Sequence, residues 1–249
     1  MSSFLISTSN ADGPGFGMFS PIHMMVLLAL GIATVLIVSK YYSAGEKERK
    51  TFRVRIAVIV LALEVFKDLL LILTGQFTNA NWPFELCGMA IFIIAVDAFH
   101  SGKTTRELLY SLALPGALMA LITPNWVKND IVNVFVWQSF VIHMLIIAYV
   151  LMRLFSREIV PSLKNLWRSV VFLLIVGPLN YWLNFIWGTN FMFLSTPSPG
   201  SPLELLGQTF GKFYLFGFTG LLLVFWLFMY LPWEIVKIRK SRRKLRRTA

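Results

Sequence analysis

Seven stretches of predominantly apolar residues, each 17 to 22 residues long, divide the 249-residue chain. An α-helix needs roughly 20 such residues to cross the hydrocarbon core of a bilayer. Because lipid offers the backbone no hydrogen-bond partners, each crossing segment has to close its own bonds, as a helix does. We therefore predict an all-α, polytopic membrane protein with seven transmembrane helices. The apolar stretches cover residues 22–41, 56–75, 83–99, 107–123, 131–152, 168–188 and 212–232.

The composition excludes a water-soluble enzyme of this size. Hydrophobic residues make up 57% of the chain and charged residues only 14%, whereas a soluble domain averages about 25% charged residues. The connections between the apolar stretches are too short to hold another folded domain. We predict an extracellular N-terminal segment over residues 1–21, a seven-helix membrane domain over 22–233 and a basic cytoplasmic tail over 234–249.

Positive charge is concentrated in alternate connections. The formal net charge is +11. The connections after the first, third and fifth stretches, together with the tail, hold 20 Lys and Arg residues, whereas the other connections hold only Lys128 and Lys212. The positive-inside rule then predicts an extracellular N-terminus and a cytoplasmic C-terminus, in a cell membrane. We expect the basic tail to contact anionic lipid headgroups, so its charge does not indicate a nucleic-acid partner.

Several polar side chains interrupt the apolar stretches in what would be the outer half of the bilayer. At about 1.5 Å per residue, Cys87 lies roughly 7 Å, Asp68 about 10 Å and His143 about 18 Å below the outer boundary. Ionisable groups inside a membrane usually face the bundle interior and mark a site. The residues predicted to bind substrate there are Glu64, Lys67, Asp68, Glu85, Gln138, Asn180, Asn184 and Asn190.

Each of these features also has a purely structural interpretation. Glu64, Lys67 and Asp68 share one helix face and could form an ion pair that joins helices, and the asparagines could make interhelical hydrogen bonds. Glu85 and Cys87 would point about 200° apart on a regular helix, so Glu85 is expected to face another helix or the headgroups. Other polar groups lie near the ends of the stretches, where they are expected to reach water: His23, Asp97 and His100.

The pair of Cys87 and His143 has a chemical interpretation. An imidazole can take the proton of a thiol, and the thiolate can then attack an acyl carbonyl. Burial disfavours a thiolate, so a base or a helix N-terminus has to stabilise it. Cys87 is expected in the second turn of its helix, where the helix dipole acts weakly, so His143 would supply most of the activation. No metal and no cofactor is implied, because one His and one Cys lack a third ligand unless Glu64 or Asp68 joins them.

Two local patterns predict irregular structure. Pro115-Gly116 lies inside the fourth stretch and predicts a kink there, tolerable where a neighbouring group satisfies the freed carbonyl. Ser201-Pro202 followed by Glu204 places an N-cap residue, a proline and an acidic residue in the order that opens a helix. A short helix is therefore expected in the long connection 189–208, as a lid on the outer face.

Three segments carry a resemblance to a known family. They read "WPFELCGMAIFIIAV", "WQSFVIHMLIIAYVL" and "NYWLNFIWGTNFMFLSTPSPGSPLELLG". The chain resembles the YwaF-like integral membrane proteins, which are similar to vertebrate transmembrane protein 164. The resemblance implies a seven-helix fold and, from the vertebrate relative, acyl transfer onto lysophospholipids, including ether lipids, by an essential Cys and His. These would be Cys87 and His143, and Glu85 stands where the family often has His or another neutral polar residue.

Two functions of different classes follow. The first is a membrane-bound acyltransferase or transacylase whose partners are membrane phospholipids or lysophospholipids, acting through Cys87 and His143. The alternative is a transporter or a solute- or lipid-binding protein that uses the cluster of Glu64, Lys67, Asp68 and His143. No internal repeat of the kind that many transporters carry is visible in the chain.

Overall fold

The computed structural model describes residues 3–7, 13 and 15–248, and it describes side chains for 4–7, 13 and 15–240. Within this part of the chain the fold is helical throughout, with no strand. Parts of the predicted N-terminal segment and the side chains at the end of the predicted basic tail lie outside the described residues. The helices are α1 (Pro21–Ser43), α2 (Glu46–Leu73), α3 (Leu86–Phe99), α4 (Lys103–Leu108), α5 (Leu114–Ile122), α6 (Val134–Phe155), α7 (Trp167–Trp187), α8 (Pro202–Phe210) and α9 (Tyr214–Thr248).

Five helical stretches of the described chain are long and apolar enough to cross a membrane. They are Pro21–Ser43, Lys103–Ile122, Val134–Phe155, Leu163–Trp187 and Pro202–Lys240. The other two predicted spans coincide with α2 and α3. Helix α2 has 28 residues, but charged residues interrupt its apolar part. Helix α3 has only 14 residues, fewer than the roughly 20 that a crossing needs.

Helix α6 forms the centre of the bundle. It packs against α1, α2, α3 and α5, and its side chains are buried along nearly its whole length, from Phe135 to Arg153. Helices α1, α7 and α9 expose large apolar side chains such as Leu36, Phe185 and Phe228. An apolar outer surface of this kind is unfavourable in water and is suited to lipid.

Pro115 interrupts the helix that contains it in the way its sequence predicts. The residues before it, Leu109–Ala113, form a π-helical turn between α4 and α5. Proline has no N–H to donate to the carbonyl four residues earlier, which belongs to Ser111. That carbonyl instead accepts a hydrogen bond of 3.0 Å from Nε1 of Trp226 on α9. The neighbouring helix therefore satisfies the group that the proline frees, and the irregular turn is stable inside the bundle.

The predicted short helix in the connection 189–208 is confirmed as α8. Ser201 is its N-cap, and its hydroxyl accepts a hydrogen bond from the Leu203 N–H at 3.2 Å. Pro202 occupies the first helical position, where its fixed φ favours the helix. The Glu204 carboxylate reaches back to the Gly200 N–H at 2.6 Å.

The expectation that Asp97 and His23 reach water is wrong, because both are fully buried. The carboxylate of Asp97 forms an ion pair with Arg153 of α6 and accepts hydrogen bonds from Tyr149 at 2.8 Å and Thr105 at 2.6 Å. His23 is held by the Leu121 carbonyl, 2.9 Å from its Nε2. In both cases a protein partner replaces water, which sequence position alone does not reveal.

Breaking the Asp97–Arg153 pair is expected to destabilise the bundle strongly. In Arg153→Leu the Asp97 carboxylate would stay buried without its cation, a change that typically costs about 3–5 kcal/mol. The matched control is Arg55→Leu on the exposed side of α2, for which a change below about 0.5 kcal/mol is expected. Thermal and denaturant unfolding in detergent would measure both variants. Equal stability of the two variants would contradict a structural role for the pair.

Candidate functional site

A cavity of about 400 Å³ lies between α2, α3, the α4–α5 segment, α6 and α9. Its wall is largely apolar, with contributions from Ile91, Met119, Ile142, Leu222 and Phe225. Such a cavity, with a few convergent polar groups, is the usual form of a small-molecule or lipid site. The predicted site residues that line it are Glu64, Lys67, Glu85, Cys87, Gln138 and His143.

Cys87 is the second residue of α3, which begins at Leu86. The expectation that it lies in the second turn is wrong, because the preceding residues of the apolar stretch form a loop. The thiol is free and half-buried. The first N–H groups of a helix lack intrahelical partners and carry a partial positive charge. The sulfur therefore lies closer to the positive end of α3 than the sequence predicted.

Gly88 allows the loop before α3 to fold back onto the helix. A Cβ atom at this position would lie 2.9 Å from the backbone Cα of Pro83, closer than packed atoms tolerate. The close approach explains the glycine directly after the cysteine in the segment "PFELCG". It also fixes the first turn of α3, and with it the direction in which the thiol points.

His143 projects from the middle of α6 into the same cavity and is 6% exposed. Its Nδ1 lies 2.6 Å from the Ser139 carbonyl oxygen, which can only accept, so Nδ1 carries the proton in a neutral ring. The other ring nitrogen, Nε2, then keeps its lone pair and can accept a proton. The Trp126 ring stacks on the imidazole at 5.3 Å between centroids and holds its plane.

The three charged residues of α2 form one ion-pair cluster. The ammonium of Lys67 lies 2.6 Å from Oε1 of Glu64 and 3.3 Å from Oδ1 of Asp68. Glu64 and Lys67 line the cavity, whereas Asp68 is not among its lining residues. Gln138 of α6 donates to the Leu63 carbonyl at 3.5 Å and so joins the two helices beside the cluster.

Glu85 lies at the N-cap of α3, outside the helix, with φ −68° and ψ 153°. The argument that it points away from Cys87 applies only to a regular helix, and both residues line the cavity. The Glu85 carboxylate accepts a hydrogen bond from the Met192 N–H at 2.8 Å. Met192 and Phe193 both have left-handed backbones, with φ of 56° and 54°, which cost energy in residues other than glycine. Glu85 therefore anchors a strained turn of the connection after α7.

The predicted asparagines bind the backbone instead of lining the cavity. Asn180 donates to the Phe84 carbonyl at 2.8 Å. Asn184 accepts from the Phe191 N–H at 2.7 Å, and Asn190 bonds both the carbonyl and the hydroxyl of Thr196 at 2.8 Å. Since buried backbone groups in a connection need partners, these amides favour a structural role over the predicted contact with substrate.

Comparison with known proteins assigns the chain to a family. A family model described as the TMEM164 family matches residues 18–230, which includes every cavity residue. The chain belongs to the TMEM164 family. It is a membrane protein of that family, with several apolar helices capable of spanning. No curated protein and no solved structure matches the chain.

Sequence reasoning missed several parts of this TMEM164-family site. Trp126 and Ser139, which hold the imidazole of His143, were not identified, and neither was the wall that Phe218 and Phe225 of α9 provide. A tryptophan in a loop between apolar stretches looks like an interfacial anchor, and only the tertiary fold brings its ring onto His143. Within the described part of the chain, no group of three His, Cys, Asp or Glu residues is placed to hold a metal ion.

Substitution at Gly88 is expected to distort the turn that carries Cys87. In Gly88→Ala the new methyl group would press against the Pro83 backbone, and overpacking of this kind costs about 1–3 kcal/mol. Gly31→Ala is the matched control, because a Cβ atom there meets nothing within 4 Å and alanine is the better helix former. Unfolding in detergent would compare the two variants, and an unchanged Gly88→Ala protein would contradict the close packing.

Proposed function

We propose that this chain is a multi-pass phospholipid acyltransferase or transacylase of the cell membrane that works through a thioester on Cys87. The observation that carries the proposal is the placement of Cys87 and His143 on the wall of one largely apolar cavity. An acyl chain fits such a wall, and the two side chains supply the minimal nucleophile and base. Membership of the TMEM164 family and the resemblance to transmembrane protein 164 point in the same direction.

In the first step His143 takes the thiol proton at Nε2, and the Cys87 sulfur attacks the ester carbonyl of a phospholipid. A C–S bond forms, the ester C–O bond breaks, and the imidazolium returns its proton to the departing lysophospholipid oxygen. In the second step an acceptor lysolipid hydroxyl, or water, gives its proton to His143 and attacks the thioester. The Cys87 sulfur leaves and is reprotonated, which restores the enzyme.

The start of α3 is suited to stabilise the oxyanion that forms in each step. The amide N–H groups of Cys87 and Gly88 belong to the first turn, which lacks intrahelical acceptors. Preorganised N–H donors of this kind are typically worth about 10²–10³ in rate. The α8 lid residues Ser201, Pro202 and Leu203 border the same cavity, so the lid can exclude water during transfer.

The decisive experiment looks for an acyl adduct. Purified protein is incubated with isotope-labelled phospholipid, and mass spectrometry searches Cys87 for the added acyl mass. We expect the adduct in the wild type, none in Cys87→Ala, and formation about 10²–10⁴ slower in His143→Gln because general-base catalysis is lost. Asp68→Asn is the control that keeps both reactive groups. Phospholipid remodelling that persists in Cys87→Ala would contradict the proposal.

A second function is favoured by the ion pair of Glu64 and Lys67 in the cavity wall. A half-buried charged pair on the same cavity wall as His143 could bind a polar solute, in a transporter or a binding protein, with Cys87 incidental. Under that function a Glu64→Gln/Lys67→Met variant would lose solute uptake or binding, whereas Cys87→Ala would retain it. Under the acyltransferase proposal, Cys87→Ala loses lipid turnover, whereas the Glu64→Gln/Lys67→Met variant retains more of it.

We also propose seven spans, with the N-terminus outside and the C-terminus in the cytoplasm. Helices α2 and α3 would be the two additional spans, since α2 pairs its own charges and α3 lies against α2 and α6. Green fluorescent protein fused to the C-terminus should then fluoresce, and alkaline phosphatase inserted after Asn129 should be active. A dark C-terminal fusion together with an inactive phosphatase insertion would contradict this topology.

A further inference from the structure

A second, basic cavity of about 630 Å³ lies at the other end of α3 from Cys87. The 14 residues of α3 separate the two sites by about 20 Å at 1.5 Å per residue. Five arginines line this second cavity, from the first half of α2, from α4, from the end of α6 and from the connection that follows α6. They are Arg49, Arg53, Arg106, Arg153 and Arg157.

The carboxylates nearby do not neutralise this arginine cluster. Glu158 is shared by three arginines, with Arg53 at 3.0 Å, Arg153 at 3.1 Å and Arg49 at 3.8 Å. Glu46, the other carboxylate on the wall, is exposed and forms no ion pair within the described residues. Even with the buried Asp97 counted, guanidinium groups outnumber carboxylates, and the wall carries a net positive charge.

The guanidinium groups of Arg106 and Arg157 have N–H donors without a hydrogen-bond partner among the described residues. Arg106 uses only Nε, which donates to the Ser101 hydroxyl at 2.9 Å. No carboxylate of the described chain lies within ion-pairing distance of either arginine. In addition, Nε of Arg53 is buried and has no hydrogen-bond partner. Clustered guanidinium groups repel each other, so these unused donors indicate that an anion completes the site.

The backbone at Arg157 supports a role for its side chain. Arg157 follows the end of α6 with a φ of 59°, in the left-handed region where helices usually end on glycine. A residue with a Cβ atom is disfavoured there, because the Cβ atom comes too close to the following carbonyl oxygen. The turn is closed by the Glu158 N–H, which bonds the Arg153 carbonyl at 2.9 Å. An arginine at this position is disfavoured by its backbone, and its guanidinium faces the cavity.

We propose that the arginine cluster binds a phosphate group. Guanidinium groups bind phosphate oxygens in bidentate fashion, and the cavity is larger than one phosphate, so it also admits what the phosphate is attached to. The group could belong to the headgroup of an anionic lipid or to a free phosphate. Phe99 and Phe155, two residues from Ser101 and Arg157, are each 61% exposed and offer a lipid chain an apolar surface beside the cavity.

The binding test compares two double variants with the same loss of charge. Arg106→Gln/Arg157→Gln removes the two unpaired cavity arginines, and Lys47→Gln/Lys50→Gln removes two exposed lysines of α2 outside the cavity. Each protein, purified in a neutral detergent, is titrated with phosphatidylglycerol and with phosphatidylcholine and read by native mass spectrometry. We expect the wild type to prefer phosphatidylglycerol, and the cavity variant to bind it at least about tenfold more weakly. The lysine variant should bind within about twofold of the wild type.

A separate titration with inorganic phosphate distinguishes the two sources. If phosphatidylglycerol binds and inorganic phosphate does not raise the melting temperature, the group is that of a lipid. If inorganic phosphate alone raises the melting temperature, and the cavity variant loses that shift, the group is free phosphate. Equal weakening in both double variants, or no weakening in the cavity variant, would overturn the proposal. Unfolding without ligand checks that the cavity variant is folded.

Discussion

The structure depends on one constraint: polar groups on the buried central helix α6 have to find partners inside the protein. Gln138, His143 and Arg153 all project from this helix and are almost fully buried. Their partners come from different elements: the Leu63 carbonyl on α2, the Ser139 carbonyl on α6 itself, and the Asp97 carboxylate on α3. Each buried polar group costs energy unless it is paired. These contacts therefore fix how α2 and α3 lie against α6.

Helix α3 carries polar side chains with different surroundings at its two ends. Its first turn carries Cys87 into the apolar cavity, and its last turn carries Asp97 into the ion pair with Arg153. One strong buried interaction at one end thus holds the helix that positions the thiol at the other end. The cavity that contains Cys87 and the arginine cluster therefore lie at opposite ends of one helix, which packs against α2 and α6.

Much of the helical framework can be predicted from the sequence, because an apolar stretch of sufficient length has few other conformations in lipid. The short helix α8 was also predictable, since its cap and proline act locally. The residues that line the cavity were harder to predict from the sequence. The sequence places Glu85 inside a helix, but α3 begins only at the next residue, Leu86, because the preceding loop folds back so that Pro83 contacts Gly88.

The asparagines show the other limit of sequence reasoning. Asn180, Asn184 and Asn190 have the right chemistry to bind a substrate, but their spacing cannot show that nearby backbone groups need them first. The burial of His23 and Asp97 was missed for the same reason. Their partners lie 98 and 56 residues away along the chain, and only the tertiary fold brings them together.

The most direct test of the central claim needs no substrate: it measures how fast a small methanethiosulfonate modifies Cys87. If His143 accepts the thiol proton across the shared cavity, His143→Gln should slow modification at neutral pH by about tenfold or more, since the thiolate is the reacting species. His100→Gln, which changes a histidine outside the cavity, should react at the wild-type rate. Equal rates in all three proteins would show that the imidazole does not activate the sulfur, and would contradict the account.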